Sequence, residues 1–546
     1  MNEGVSGLDH HFAKFLSGRS GLEGVAEEQF YAVVSRLSAA LEGGHSCLRL
    51  VPEEVLLFRG NPLVSVDGEG RMSPLVLAGS NLYLHRYYTY ETRLAKQILT
   101  LAGQSSGVVS PPLAEDVEAE VDYQKEAARV ALQNALTIIS GGPGTGKTTT
   151  VVKILALLVE SCSNPLKIGL AAPTGKAAMR LSDSIGTSLA NHEQIGLHED
   201  IVQSIPTVAC TLHRLLGVRR NSPQFIHNND NPLDFDVVVV DEASMVDLAM
   251  MSKLVDALKP GAKLILLGDK DQLASVESGA VLVDLINSLP ENSIELQKSY
   301  RFDANIKQLA VSINNAELKT TWDLLNDGQA HNVSLLASDK LGYIGGRYSE
   351  FIELVHQRLR SSTVCQDDIQ KIFQIFQSFQ VLCCTHHGER GVRGINQRVE
   401  RSLAAKGFEC KSETWYPGRP VLITRNDYGL DLYNGDIGIY LPGMGQQGGK
   451  VWFERPDGSV KGYSPNRLPQ CETVFAMTIH KSQGSEFSEV VVVLPEADSR
   501  ILSRELIYTG VTRAKSVVRL VSDKAVLGFA LERNIRRHSG LQDFLR

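Results

Sequence analysis

Residues 141–148 read GGPGTGKT, and they sit between the strand-length apolar run ALTIIS and the helical run TTTVVKILALLVE. This spacing constrains the fold more than anything else in the chain. It fits G-x-x-x-x-G-K-[ST], in which glycines let successive backbone N–H groups curl around phosphates at a helix N-terminus. Lys147 would reach the β- and γ-phosphate oxygens, and the Thr148 hydroxyl would ligate Mg²⁺. Gly141, Gly142, Pro143, Gly144, Thr145, Gly146, Lys147, Thr148 and Thr149 are therefore candidate ATP contacts, with ATP and Mg²⁺ the expected cofactors. A loop of this kind belongs to an α/β fold with a parallel sheet.

The flanking sequence continues that rhythm. A helix YQKEAARVAL precedes the loop, and KIGLAAP, GKAAMRLSDSIG, DVVVVD and KLILLGD follow, the strands nearly continuous in Val, Ile and Leu. Such runs mark strands covered on both faces. FQVLCCT, SEVVVVLP and SVVRLVS predict a second parallel sheet beyond residue 290. Between its strands, residues 419–470 alternate and carry the turn signals Asn-Gly-Asp and Pro-Asp-Gly, which predict a small inserted antiparallel barrel. Small residues, a Pro pair and an acidic run at 102–120 mark a boundary. The expected division is an N-terminal domain at 1–115, a first lobe at 116–290 and a second lobe at 291–546.

Hydrolysis needs more than a phosphate cradle. Asp241 and Glu242 end the apolar run VVVV; Asp241 would hold Mg²⁺ through water and Glu242 would polarise the attacking water. Gln272, after the strand LLGD, is placed to sense the γ-phosphate. Arg301 in QKSYRF and Arg513 in YTGVTRAK lie far along the chain, and an arginine brought by a second lobe would make hydrolysis depend on lobe closure. Composition narrows the partners. The net charge is −7, but residues 1–120 hold nine basic against fifteen acidic residues and the remainder is nearly balanced, so a nucleic-acid path there is open. The eight cysteines form no CxxC pair, which predicts reduced thiols and no zinc site. The longest apolar runs are too short for a membrane span, and the first residues lack a secretory pattern, so a bacterial cytoplasmic location is expected.

In chain order, YQKEAA, GGPGTGKTTT, APTGKAAMRL, TLHRLLG, VVVVDEASM, GDKDQLASVESG, QKSYRF, TIHKSQGSEF and YTGVTRAK resemble the full motif series of superfamily-one helicases. Within them, ISGGPGTGKTTT, CTLHRLLG, LASVESGAVLVD and RPVLITRND…NGDIG resemble the RecD family, alpha subunits of RecBCD (exonuclease V) complexes. The resemblance implies two RecA-like P-loop motor lobes, an SH3-like insert at about 425–470 and a short hairpin at about 219–235 that splits duplex. It also implies that Gln124 reads adenine, that Thr174, Lys176, Thr211, His213, Thr478 and His480 contact DNA, and that Gln483, Gly484 and Glu486 face the nucleotide, with Glu486 on the ribose.

The implied activity is an ATP-dependent 5′–3′ DNA helicase acting on single-stranded DNA and duplex ends within a heterotrimer with RecB-like and RecC-like subunits, in recombinational repair. The nuclease would reside in a partner, because the two E-x-K tripeptides of this chain, at 317 and 409, have no convincing upstream Asp. The acidic N-terminal segment leaves no room for the helix-hairpin-helix modules of self-standing relatives, which implies partner docking. The alternatives are a stand-alone helicase and a DNA-stimulated ATPase that displaces no strand. TIHKSQGSEF contains a His and a Lys that would suit acid/base chemistry, yet Glu242 already fills that role; the stretch reads as a coupler between DNA and ATP.

Overall fold

The computed structural model describes residues 6–546 apart from 71, 105–122, 163, 193–196, 220–221, 276, 298–303, 329–330, 338–341, 360–364, 411–413, 428, 444–447 and 456–457. Two parallel sheets form its centre. In the first, the strand order is Ser293–Glu295, Leu136–Ser140, Lys263–Gly268, Val237–Val240, Ile168–Ala172 and Cys210–Thr211, every neighbouring pair parallel. Strands Leu136–Ser140, Val237–Val240 and Ile168–Ala172 are buried throughout. Helices cover both faces, as right-handed β-α-β crossovers require. The register pairs Ser140 with Gly268 and Val240 with Leu266, so three strands end together. The phosphate loop, Asp241 and Asp269 consequently leave the sheet at one edge, where ligands bind in open α/β sheets.

The second sheet runs Val333–Leu335, Ala514–Val521, Phe487–Val493, Phe379–Cys383 and Ala476–Thr478, again all parallel. Phe487 pairs with Ala514, so the residues just before them, Glu486 and Arg513, arrive at the same edge. The central Val490–Val493 run is fully buried in the core of this lobe.

Residues 420–473 form a five-stranded antiparallel sheet in the order Val460–Tyr463, Lys450–Glu454, Ile437–Leu441, Pro420–Ile423 and Cys471–Thr473. This sheet is the insert expected from the alternating pattern, and it starts and ends a few residues outside 425–470. Closure into a barrel would need its edge strands to pair, and no such pair occurs among the described residues. Among the described residues, the expected hairpin region carries isolated bridges, Val218 with Phe225, Asn228 with Asn231 and Leu233 with Leu258.

The N-terminal unit holds a four-stranded sheet, Leu48–Arg49, Asn81–Leu84, Leu75–Ala78 and Val64–Val66, with its own core around Phe30 and Phe58. The tyrosine-rich stretch at 81–91 forms the strand Asn81–Leu84 and the start of the helix His85–Ala102. The C-terminal tail straps this unit to the first lobe. The backbone N–H of Ser46 donates to the His538 carbonyl at 3.1 Å, Ser539 donates to Glu91 at 2.9 Å, and Gln542 donates to Asp284 at 2.8 Å. All eight cysteines are free thiols, four of them buried. Among the described residues, no helix is long and apolar enough to cross a membrane.

Candidate nucleotide and DNA sites between the lobes

The helix Lys147–Ser161 begins after Gly146, which has no side chain to cap it, so its first N–H groups are directed toward the loop. Gly144 and Gly146 take φ of 77° and 82°, a region open to glycine at no cost, and this turns the loop tightly enough to aim those amides inward. The Lys147 ammonium donates to the carbonyls of Gly141 at 2.6 Å and Gly142 at 3.1 Å, which holds it inside the curl. Thr145 Oγ1 donates to the Gly142 carbonyl at 2.8 Å and fixes the turn.

A cavity of about 630 Å³ opens in front of this loop. Gly144, Gly146, Lys147, Thr148 and Thr149 line it from the loop, Asp241, Glu242 and Gln272 from the other strand ends, and Gly484, Glu486 and Arg513 from the second lobe. The structure thus brings together residues spread over 370 positions of sequence. Burial, and then the neighbouring Glu242, push the Asp241 carboxyl above the usual carboxylate range, while Lys147 and Arg180 oppose that shift. A divalent cation would supply the missing compensation. Among the described residues no cluster of three His, Cys, Asp or Glu could hold a metal. One hydroxyl and one carboxylate suffice for Mg²⁺, which keeps waters and phosphate oxygens as its other ligands. Thr148 and Asp241 fit that set.

Glu242 has φ 51° and ψ 41°, a left-handed conformation that costs a non-glycine residue of order 1 kcal/mol or more. The strain turns its carboxylate into the cavity, 3.7 Å from Arg180 and 3.9 Å from Arg513. Arg513 is the largest fully buried side chain among the described residues, 1% exposed. It donates through Nη2 to Gln272 Oε1 at 2.5 Å and through Nε to the Thr509 carbonyl at 3.2 Å. Burial depresses its pKa, and Glu242 opposes the shift. Gln272 in turn donates to Asp269 at 2.9 Å, to which Tyr508 also donates at 3.1 Å. Gln483 donates to the Leu273 carbonyl at 3.1 Å. Gly484, at φ 73°, approaches Ala177 so closely that a Cβ there would lie 3.1 Å from the Ala177 Cβ.

Two participants escaped the reading of the sequence. Arg180 bridges Glu242 and Glu486, one carboxylate from each lobe. It lies four residues after Lys176 on the helix Gly175–Ala190, a spacing that puts both on one face and could have flagged it. Lys515, 3.7 Å from Glu486, is the second.

The residues expected on DNA are distributed less tidily. Thr174 and Thr211 each cap a helix, accepting from Ala177 N and Arg214 N at 3.2 Å. Accepting leaves each hydroxyl proton available to a phosphate oxygen. His213 packs edge-on to Phe225, 5.7 Å between ring centroids, and burial lowers its pKa. Lys176 lines the nucleotide cavity rather than standing away from it, its ammonium without a hydrogen-bond partner among the described residues, and burial lowers its pKa to about 8. Thr478, buried, accepts from Lys481 N at 3.3 Å, and His480 is lowered by burial, then by Arg537 and His386. Neither Thr478 nor His480 lines the cavity. Gln124 accepts from Lys153, on the helix that Lys147 begins, at 3.1 Å. Arg301 lies outside the described residues.

Comparison with known proteins gives the family. Residues 124–278 match the AAA domain model and residues 473–521 the UvrD-like helicase C-terminal domain. The chain is 40% identical over 495 residues to the RecBCD enzyme subunit RecD of Mycolicibacterium smegmatis, covering 87% of this chain and 84% of that protein. It is 34% identical to the RecD subunit of Haemophilus influenzae, with coverages of 89% and 83%. The ATP-dependent RecD2 DNA helicase of Deinococcus radiodurans is 33% identical over 86% of this chain, but only 57% of that longer protein is matched. With two lobes meeting at one phosphate-loop cavity and this identity spanning most of both partners, the chain belongs to the RecD family of RecBCD enzyme subunits.

Proposed function

We propose that this protein is an ATP-driven 5′–3′ helicase on single-stranded DNA, working as the RecD subunit of a helicase–nuclease with RecB-like and RecC-like partners at duplex ends in recombinational repair. The observation that carries the motor reading is the single cavity in which Lys147 and Glu242 from one lobe face Arg513 and Glu486 from the other. Hydrolysis at such a seam must change how the lobes sit against each other, which a scaffold ATPase with its site inside one lobe would not achieve.

The assigned roles follow from the geometry and from family resemblance. Backbone amides of 144–149 would cradle the phosphates, Lys147 would hold the β- and γ-oxygens, and Thr148 and Asp241 would hold Mg²⁺, which neutralises charge on the transferring phosphoryl group. Glu242 would orient and deprotonate water. Arg513 and Arg301 would stabilise the developing charge, and Gln272, hydrogen-bonded to Arg513, would report the γ-phosphate to the second lobe. Gln124 would read adenine, and Gln483, Gly484 and Glu486 would close on the nucleotide. Thr174, Lys176, Thr211, His213, Thr478 and His480 would track the DNA backbone without reading sequence. The segment 219–235 would part the duplex, and residues 1–115 would dock a partner subunit. We assign the nuclease to a partner.

The test is ATP hydrolysis by the purified chain with and without oligo-dT, followed by strand displacement from a 5′-tailed duplex. Stimulation with displacement supports a motor. Stimulation without displacement, alone and with partner subunits, would leave only a DNA-stimulated ATPase.

A further inference from the structure

A groove of about 880 Å³ separates the helix His85–Ala102 of the N-terminal unit from residues 224–230 of the first lobe. A second cavity of about 230 Å³ runs from His213 beneath residues 222–225. The two share Gln224, Phe225 and Lys253 as lining, so they adjoin, one reaching a residue expected on DNA and the other the N-terminal unit.

Its walls have a consistent chemistry. The Lys253 ammonium lies 5.4 Å from the Phe225 ring centroid and 5.9 Å from that of Tyr90, which joins the two sides of the groove. Arg93 and Lys96, both exposed, stand one turn apart on the 85–102 helix and face the same space. Three carboxylates also line these walls: Asp256, engaged by Gln97 at 2.9 Å and by Arg93 at 3.5 Å, Asp247, which accepts from Met250 N at 2.7 Å, and the exposed Asp230. Asn228, Asn229, Thr89, Thr92 and Thr100 supply amides and hydroxyls. The N-terminal segment has only nine basic residues, and three of them, Arg86, Arg93 and Lys96, lie on this helix. Cations, amides, hydroxyls and aromatic rings beside a motif expected on DNA suit a single strand better than an apolar protein segment.

We propose that this groove is a further single-stranded DNA path, in which Arg93, Lys96 and Lys253 hold backbone phosphates of the strand that passes Thr211 and His213. The inference rests on the motor reading. It makes the N-terminal unit part of the DNA track as well as a docking surface.

The experiment is equilibrium binding of fluorescent oligo-dT to the full chain without nucleotide, over a range of salt, using the double variant R93A/K96A and the single variant T100K. Each phosphate contact on a single strand contributes about 0.7 to the slope of log K against log salt. R93A/K96A should lower the slope by that amount per lost contact and weaken binding several-fold. T100K adds a cation to the groove wall and should raise the slope; it decides the matter even where the double variant folds poorly. Unchanged slopes in both overturn the proposal, as does an effect confined to assembly with partner subunits. Binding is read without ATP, so failure of the groove is distinct from failure of the motor, which the wild-type hydrolysis assay reports by itself.

Discussion

Arg513 of the second lobe donates to Gln272 of the first at 2.5 Å, and the same guanidinium stands 3.9 Å from Glu242. One buried cation therefore ties together the residue expected to sense the γ-phosphate and the residue expected to activate water. Arginine fingers contribute roughly 10³–10⁵-fold to turnover. Arg513→Lys should keep the charge and lose the fork, lowering kcat by about 10³-fold in steady-state hydrolysis with saturating oligo-dT. Arg513→Ala should in addition destabilise the protein by about 3–5 kcal/mol, because a buried network loses its cation. Wild-type turnover in the lysine variant would remove Arg513 from the site.

Lys147→Ala should abolish hydrolysis while leaving thermal unfolding nearly unchanged, since its two hydrogen bonds go to carbonyls of its own loop. A fluorescent ATP analogue should bind far more weakly. Turnover within a few fold of wild type would refute the phosphate-loop assignment.

Glu242 separates stability from activity. Gln and Gly at this position both remove the carboxylate and should both stop turnover, yet only glycine relieves the backbone at φ 51°. Glu242→Gly should therefore be the more stable of the two by about 1 kcal/mol in urea unfolding. The reverse order would show that the left-handed turn is not strained.

Arg180 holds a carboxylate of each lobe, a task for which a guanidinium fork is shaped and an ammonium is not. Arg180→Ala should lower kcat/KM by about 10- to 100-fold, the usual range for losing a group that orients site residues, and Arg180→Lys should recover only part of it. Equal activity in the alanine and lysine variants would assign the residue no role beyond packing.

Burial pushes the Glu91 carboxyl up to about 7, against hydrogen bonds donated by Ser46, Ser539 and Tyr83. The folded state thus keeps its proton where the unfolded chain, near 4.5, has released it. The stability this protonation contributes is complete below about 4.5 and is lost as pH rises through about 7. Glu91→Gln should leave the urea midpoint unchanged near pH 4.5 and raise it at pH 8 relative to wild type. A midpoint difference independent of pH would show that Glu91 does not titrate across this window.

The sequence by itself determined the two parallel sheets, the phosphate loop and the acids at the end of the VVVV strand, because these depend on local periodicity and on spacing within one β-α unit. The alternating insert was legible for the same reason, though not whether its sheet closes, which depends on pairing between strands far apart in the chain. Tertiary structure alone decided the rest. Arg180 looks like an ordinary helix surface charge until Glu242 and Glu486 meet around it. Lys176, expected on DNA, lines the nucleotide cavity because its helix starts at the seam between the lobes. One wall of the groove, residues 224–230, lies in the segment expected as a hairpin, but the helix His85–Ala102 that faces it carries no motif. Such features arise where separate elements converge, and convergence over hundreds of residues is fixed by packing of the whole chain rather than by any window of it.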